Sequence, residues 1–152
     1  MKRLLTAILI LFIAEPFAIA LDGMALKPAA RDKCPVCGMF VAKYPDFLAL
    51  IIFKDGSYAA FDGVKDMIKC YRNMKKYIPG KSTNDIQSVL ATEYYNLRRI
   101  NAVKAYYVIG SDVYGPMGKE LIPLEKEADA KAFLKDHQGR VVLRFHDIND
   151  KA

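Results

Sequence analysis

The chain has 152 residues, a formal net charge of +6 and three cysteines. That length buries one ordinary core, so one domain is expected, and three cysteines cannot complete a disulfide framework within one chain. The charge is scattered, with Lys75-Lys76 and Arg98-Arg99 as the longest basic runs, which argues against a nucleic-acid partner.

Met1-Lys2-Arg3 is a short positive start, followed by an apolar run from Leu4 to Ala14 and a break at Glu15-Pro16. Ala18-Ile19-Ala20 then supplies a small-x-small cleavage signature, so residues 1–20 are predicted to be a secretory signal peptide. The run is short for a membrane span. Cleavage after Ala20 starts the mature chain at Leu21, with no Cys beside the site to carry a lipid anchor. Residues 21–33 are small, polar and proline-containing and read as a linker, with Met24 a spare residue in it. The single domain is expected over 34–152.

Cys34-Pro35-Val36-Cys37-Gly38-Met39 packs two thiols and a thioether into six residues. Pro35 and Gly38 make it a turn or loop. Thiolate and thioether sulfurs are soft ligands that favour Cu(I). An exported chain meets oxidising conditions, so Cys34 and Cys37 either form a disulfide that is at times reduced or hold a metal.

Phe47 to Phe53 is a continuous apolar run, suited to a strand covered on both faces. Asp55-Gly56 follows, then Ser57 to Phe61, and the pair signals a tight antiparallel hairpin. Asp62 reads as a helix N-cap. Val64, Met67, Ile68, Tyr71 and Met74 recur at helical spacing, and the helix should end before Pro79-Gly80. Cys70, at the edge of that stripe, reads as a half-buried free thiol.

Residues 80–93 read as a connection with a short helical turn near 85–90, and 94–100 are ambiguous. Ala102 to Ile109 is predicted as a strand, Gly110 to Gly118 as a loop, and Glu120 to Pro123 as a short strand. Glu125 to His137 is helical by composition, with Gly139 capping its end, and Val141 to His146 forms a final strand. Hairpins mixed with helices predict an α+β fold, antiparallel and built from two ββα-type halves.

Met117 sits between Pro116 and Gly118, where helix packing cannot account for it. It is a candidate sulfur ligand, or a plug between loop and sheet. His137 ends a helix, where a cationic ring suits the macrodipole, and ligation is its second reading. A site that uses one nitrogen must take it from His137 or His146, the two histidines of the chain.

A thiol–disulfide oxidoreductase is the competing reading, since Cys-x-x-Cys is its motif. Against it, the motif leads through Tyr44-Pro45 into a strand rather than opening a helix. Gly38 in place of a histidine excludes a c-type haem. A structural zinc needs four ligands, for which only Cys70 and the distant histidines are on hand.

With these residues in view, the chain resembles the NosL family, the exported accessory proteins of nitrous-oxide reductase. Cys34-Pro-Val-Cys37-Gly-Met39, Phe61-Asp62-Gly63, Tyr106-Tyr-Val-Ile-Gly110-Ser-Asp-Val-Tyr-Gly115-Pro-Met117-Gly and the helix–Gly–strand close from Glu125 to Phe145 carry the likeness. The resemblance implies a periplasmic Cu(I) metallochaperone that is not an enzyme, with an α+β fold of the organomercurial-lyase type. It implies partners as well: nitrous-oxide reductase or its assembly machinery, and a copper donor protein or transporter. Peripheral membrane association stays open. Many members carry a lipid-bearing Cys at the processed terminus, and this sequence departs from that pattern. The expected metal ligands are Cys34, Cys37, Met39, Met117 and His137.

Overall fold

A computed structural model describes residues 23–149; the expected signal peptide lies outside the described residues. The apolar run and the Asp-Gly pair form the hairpin they predict. Strand β1 (Ala49–Phe53) is buried along its whole length and pairs antiparallel with β2 (Tyr58–Phe61), Ile52 opposite Tyr58. Only Gly56 of the turn has positive φ, +82°, so the loop is the longer glycine-bulged kind and not the primed two-residue turn. Asp55 Oδ1 fastens it by accepting from Ser57 N and Oγ at 3.1 and 2.6 Å.

Helix α1 (Val64–Arg72) follows, burying Val64, Met67, Ile68 and Cys70, and a break at Asn73 leads into the one-turn α2 (Met74–Tyr77). Cys70 is fully buried, deeper than its position at the edge of the stripe suggests. Asp62 is not the cap. Gly63 holds that position with no side-chain hydrogen bond, and Asp62 is turned inward.

Residues 86–92 are not helical. They form β3 (Ile86–Thr92), which pairs antiparallel along the open edge of β1, Ile51 opposite Val89, and buries everything from Val89 onward. Local propensity in Ser88 to Thr92 is weak, and the unpaired edge of β1 decides the conformation. The ambiguous stretch turns at Glu93 and becomes β4 (Arg99–Asn101), completing the order β2-β1-β3-β4.

Ala102–Lys104 is a 3-10 turn rather than strand, so β5 is Tyr106–Ile109. The loop after it carries a small hairpin, β6 (Tyr114–Gly115) and β7 (Gly118–Lys119). Next come β8 (Ile122–Leu124), helix α3 (Glu127–Asp136) and β9 (Val141–Arg144), in the order β8-β5-β9. At the end of α3 it is Gln138, at φ +53°, that takes the left-handed turn; Gly139 is there because a Cβ would lie 2.6 Å from Val108.

Both halves therefore run strand, strand, helix, strand, with the first strand central and every pairing antiparallel. The second half differs by the β6–β7 insertion between its first two strands. The main core draws on both, from Phe61 and Met67 to Tyr107 and Phe145, while α3 covers the second sheet through Ala130 and Phe133. The described part of the 21–33 segment is fastened to this body: Gly23 O accepts from Arg99 Nη1 at 2.6 Å and Asp32 Oδ2 from Tyr58 Oη at 2.5 Å. No described helix is long and apolar enough to cross a membrane.

Candidate metal centre

The Cys-x-x-Cys stretch closes on itself. Lys33 and Phe40 form an antiparallel bridge, Cys34 N donates to Met39 O at 2.9 Å, and Gly38 N donates to Cys34 O at 2.9 Å. Gly38 sits at φ +79°, a conformation that only glycine adopts cheaply. The closed turn points both thiols at the start of α1. Cys34 is buried and Cys37 half-buried.

Two carboxylates meet them. Cys34 Sγ donates to Asp66 Oδ2 at 3.4 Å and Cys37 Sγ to Asp62 Oδ1 at 3.1 Å. One ligand atom from each of Cys34, Cys37, Asp62 and Asp66 can be taken so that all four lie within 4.8 Å of one another. Asp62 Oδ2 is buried with no hydrogen-bond partner. A buried carboxylate oxygen left unpaired is costly unless a cation or donor comes to it.

Burial pushes the Cys34 thiol up to about 11, with a neighbouring carboxylate adding to it. Burial raises Cys37 further still, again with help from Asp62. Neither thiol ionises at neutral pH, because a thiolate here would face two carboxylates in a low dielectric. The pocket asks for a cation, and two thiols supply the soft donors that a copper ion prefers.

Asp62 and Asp66 stay in place because another carboxylate does the capping. Glu120, buried at the end of the β6–β7 insertion, accepts from Lys65 N at 3.0 Å and from Leu121 N at 3.1 Å. Gly63 permits this approach, since a Cβ there would lie 2.5 Å from Glu120 Oε2. Lys65 Nζ in turn donates to Met117 O and Lys119 O at 3.0 and 2.8 Å. The second half of the molecule thereby clamps the turn of α1 that lies between the two aspartates.

Of the sequence-predicted ligands, the structure brings Cys34 and Cys37 together. Met39 is half-buried just past Gly38, its carbonyl engaged by Cys34. Met117 is 45% exposed at the tip of the small hairpin and lines a surface recess with Asp66. His137 is not in the cluster. It caps α3, its ring stacked on Phe133 at 4.1 Å and its Nδ1 2.9 Å from Asp112 Oδ1. His146 is exposed beside Phe145. The aspartates are what the sequence reading missed. The available signal was an acid pair four apart whose second member falls inside the buried stripe of α1.

The family model described as NosL matches residues 25–152 of this chain. The chain belongs to the NosL family. A curated relative, the copper-binding lipoprotein NosL of Stutzerimonas stutzeri, is 30% identical over 130 residues, covering 82% of this chain and 67% of its own length. The crystal structure of the copper chaperone NosL from Shewanella denitrificans shares the fold, with a TM-score of 0.69 at 21% identity over 84% of this chain and 97% of that one. A solution structure of apo-NosL from Achromobacter cycloclastes aligns at a TM-score of 0.46, with 27% identity over 67% of this chain and 85% of that one. The Stutzerimonas and Shewanella proteins are named for copper and not for a catalysed reaction.

Proposed function

We propose that this protein is an exported Cu(I) carrier that delivers copper for the maturation of the copper centres of nitrous-oxide reductase. The observation that carries the reading is the convergence of Cys34, Cys37, Asp62 and Asp66 in a chain of the NosL family. Copper is cargo here, so the site must take it and give it up. Cys34 and Cys37 are the holding ligands. Met39, next to the thiol turn, and Met117, on the rim beside Asp66, are the sulfurs through which the ion is exchanged stepwise. His137 serves as the cap of α3. Export places the chain in the periplasm. The Stutzerimonas relative is named a lipoprotein, and such proteins are exported.

A thiol–disulfide oxidoreductase fits less well. Such a site needs a thiol whose pKa is lowered, and both thiols here are raised. The two carboxylates also make the four-atom set acceptable to Zn2+, so preference for Cu(I) over zinc belongs in any test. The direct functional test is transfer. Copper-loaded protein is mixed anaerobically with copper-free nitrous-oxide reductase, and the reductase's copper absorption is followed. Transfer should proceed from the loaded protein and fail with Cys34→Ser. Equal filling from a simple Cu(I) chelate would sink the delivery role.

A further inference from the structure

A cavity of about 410 Å³ opens where the turn after β3, the stretch before β1 and the β6–β7 insertion come together. Phe47, Tyr94, Val113 and Leu121 line it, none of the four metal-centre residues does, and its size suits one or two side chains of a ligand. Tyr95 and Leu97 stand at its rim, 52% and 54% exposed. Leu97 is held there at φ +56°, a strained position for a side chain that gains nothing from solvent. The turn that carries both is built rigidly. Buried Glu93 accepts from Tyr95 N and Asn96 N, both at 2.9 Å, and Asn96 Oδ1 accepts from Arg98 N at 2.9 Å. Two apolar side chains are thus presented preformed, which is how contact surfaces avoid the entropy of ordering.

The charged side chains that line this cavity are acidic, and Lys65 reaches Glu120 only from the α1 side. Asp46 and the buried Glu120 are its charged lining residues, Asp129 and Asp136 act on Tyr95 from α3, and no lysine or arginine lines it among the described residues. On a chain of net charge +6 that is a local reversal. A fatty acid or anionic lipid would bring its own negative charge to Asp46 and Glu120 and be repelled. An apolar group next to a cation is attracted on both counts.

We propose that this groove docks an extended segment of a partner protein in which an apolar side chain sits beside a lysine or arginine. Apolar side chains of that segment fill the cavity against Phe47 and Leu97, and its cation meets Asp46 and Glu120. Glu120 is also the carboxylate that holds the first turn of α1, so the partner is seated against the wall of the metal centre. The groove's chemistry does not depend on which metal the protein carries.

The test uses isotopically labelled protein, without metal, and two capped tetrapeptides, Leu-Phe-Lys-Leu and Leu-Phe-Glu-Leu, followed by amide chemical shifts. The lysine peptide should saturate and move the amides of Tyr95, Leu97, Val113 and Leu121. It should bind about tenfold more tightly than the glutamate peptide, the ratio expected for one opposed against one like charge. Asp46→Lys should erase that preference. Leu97→Asn keeps the left-handed turn and should weaken both peptides, while leaving the fold, read from the remaining amides, unchanged. Equal binding of the two peptides would reduce the groove to a nonspecific apolar pocket and overturn the proposal. Saturable shifts elsewhere on the surface, or no saturable shifts in the wild type, would overturn it as well.

Discussion

The Cys37 S–H donates at 3.1 Å to a buried Asp62 carboxylate whose second oxygen has no hydrogen-bond partner. That matters for charge. Exchanging two thiol protons for one monovalent ion would leave the pocket one charge more negative beside Asp62 and Asp66, which a low dielectric penalises. Uptake of Cu(I) at neutral pH should release about two protons per ion, one from each thiol. Calorimetry in buffers of different ionisation enthalpy reads that number, and Cu(I) uptake with no proton release would contradict ligation by both thiols. The buried thiols also set an alkaline limit. Cys34 and Cys70 are raised by burial to about 11 from 9.0, so the folded chain keeps their protons longer than the unfolded chain does. Their contribution is whole below pH 9 and lost as the pH climbs through 11. Thermal unfolding of the metal-free protein should fall over that window, and a flat profile would count against both assignments.

At the scale of elements, the start of α1 is held from outside its own half. Gly63 and Glu120 approach so closely that each constrains the other. Gly63→Ala should cost about 1–3 kcal/mol through the clash. Glu120→Ala should cost roughly 1–2 kcal/mol through loss of the cap. The double variant should cost less than the sum, because removing the carboxylate makes room for the methyl group. Urea unfolding of the three proteins closes the cycle, and strict additivity would show that the contact is not what holds the turn. The same region shows why part of the site was hidden in the sequence. An aspartate just before a helix has a local meaning as a cap, and nothing nearby says that a thiol 25 residues upstream will claim it instead. The cysteines were legible because their chemistry lies in the residue type. The β1–β2 hairpin was legible because a continuous apolar run and an Asp-Gly pair are local signals. Strand β3 was not, because its conformation comes from the edge of β1, more than 30 residues away in the chain.

For the molecule as a whole, the two ββαβ halves have separate tasks. The first supplies the strands and helix against which the thiol turn closes. The second, through the β6–β7 insertion, sends Glu120, Lys119 and Met117 back across α1. The alternation of hairpins and helices predicted this duplication in outline. The insertion that joins the halves was visible only as a loop, since its anchor points are backbone carbonyls and a buried carboxylate. The copper-carrier role rests on one ion held by the paired thiols. The measurement that bears on it most directly is an anaerobic Cu(I) titration of the mature chain against a competing chelator, with Zn2+ run alongside. One Cu(I) should be held tightly per chain, in preference to zinc. That binding should be lost in Cys34→Ser and Cys37→Ser, weakened in Met39→Leu and Met117→Leu, and untouched by His137→Ala. Cu(I) binding that survives loss of either thiol, or a chain that leaves all the copper with the chelator, would contradict it.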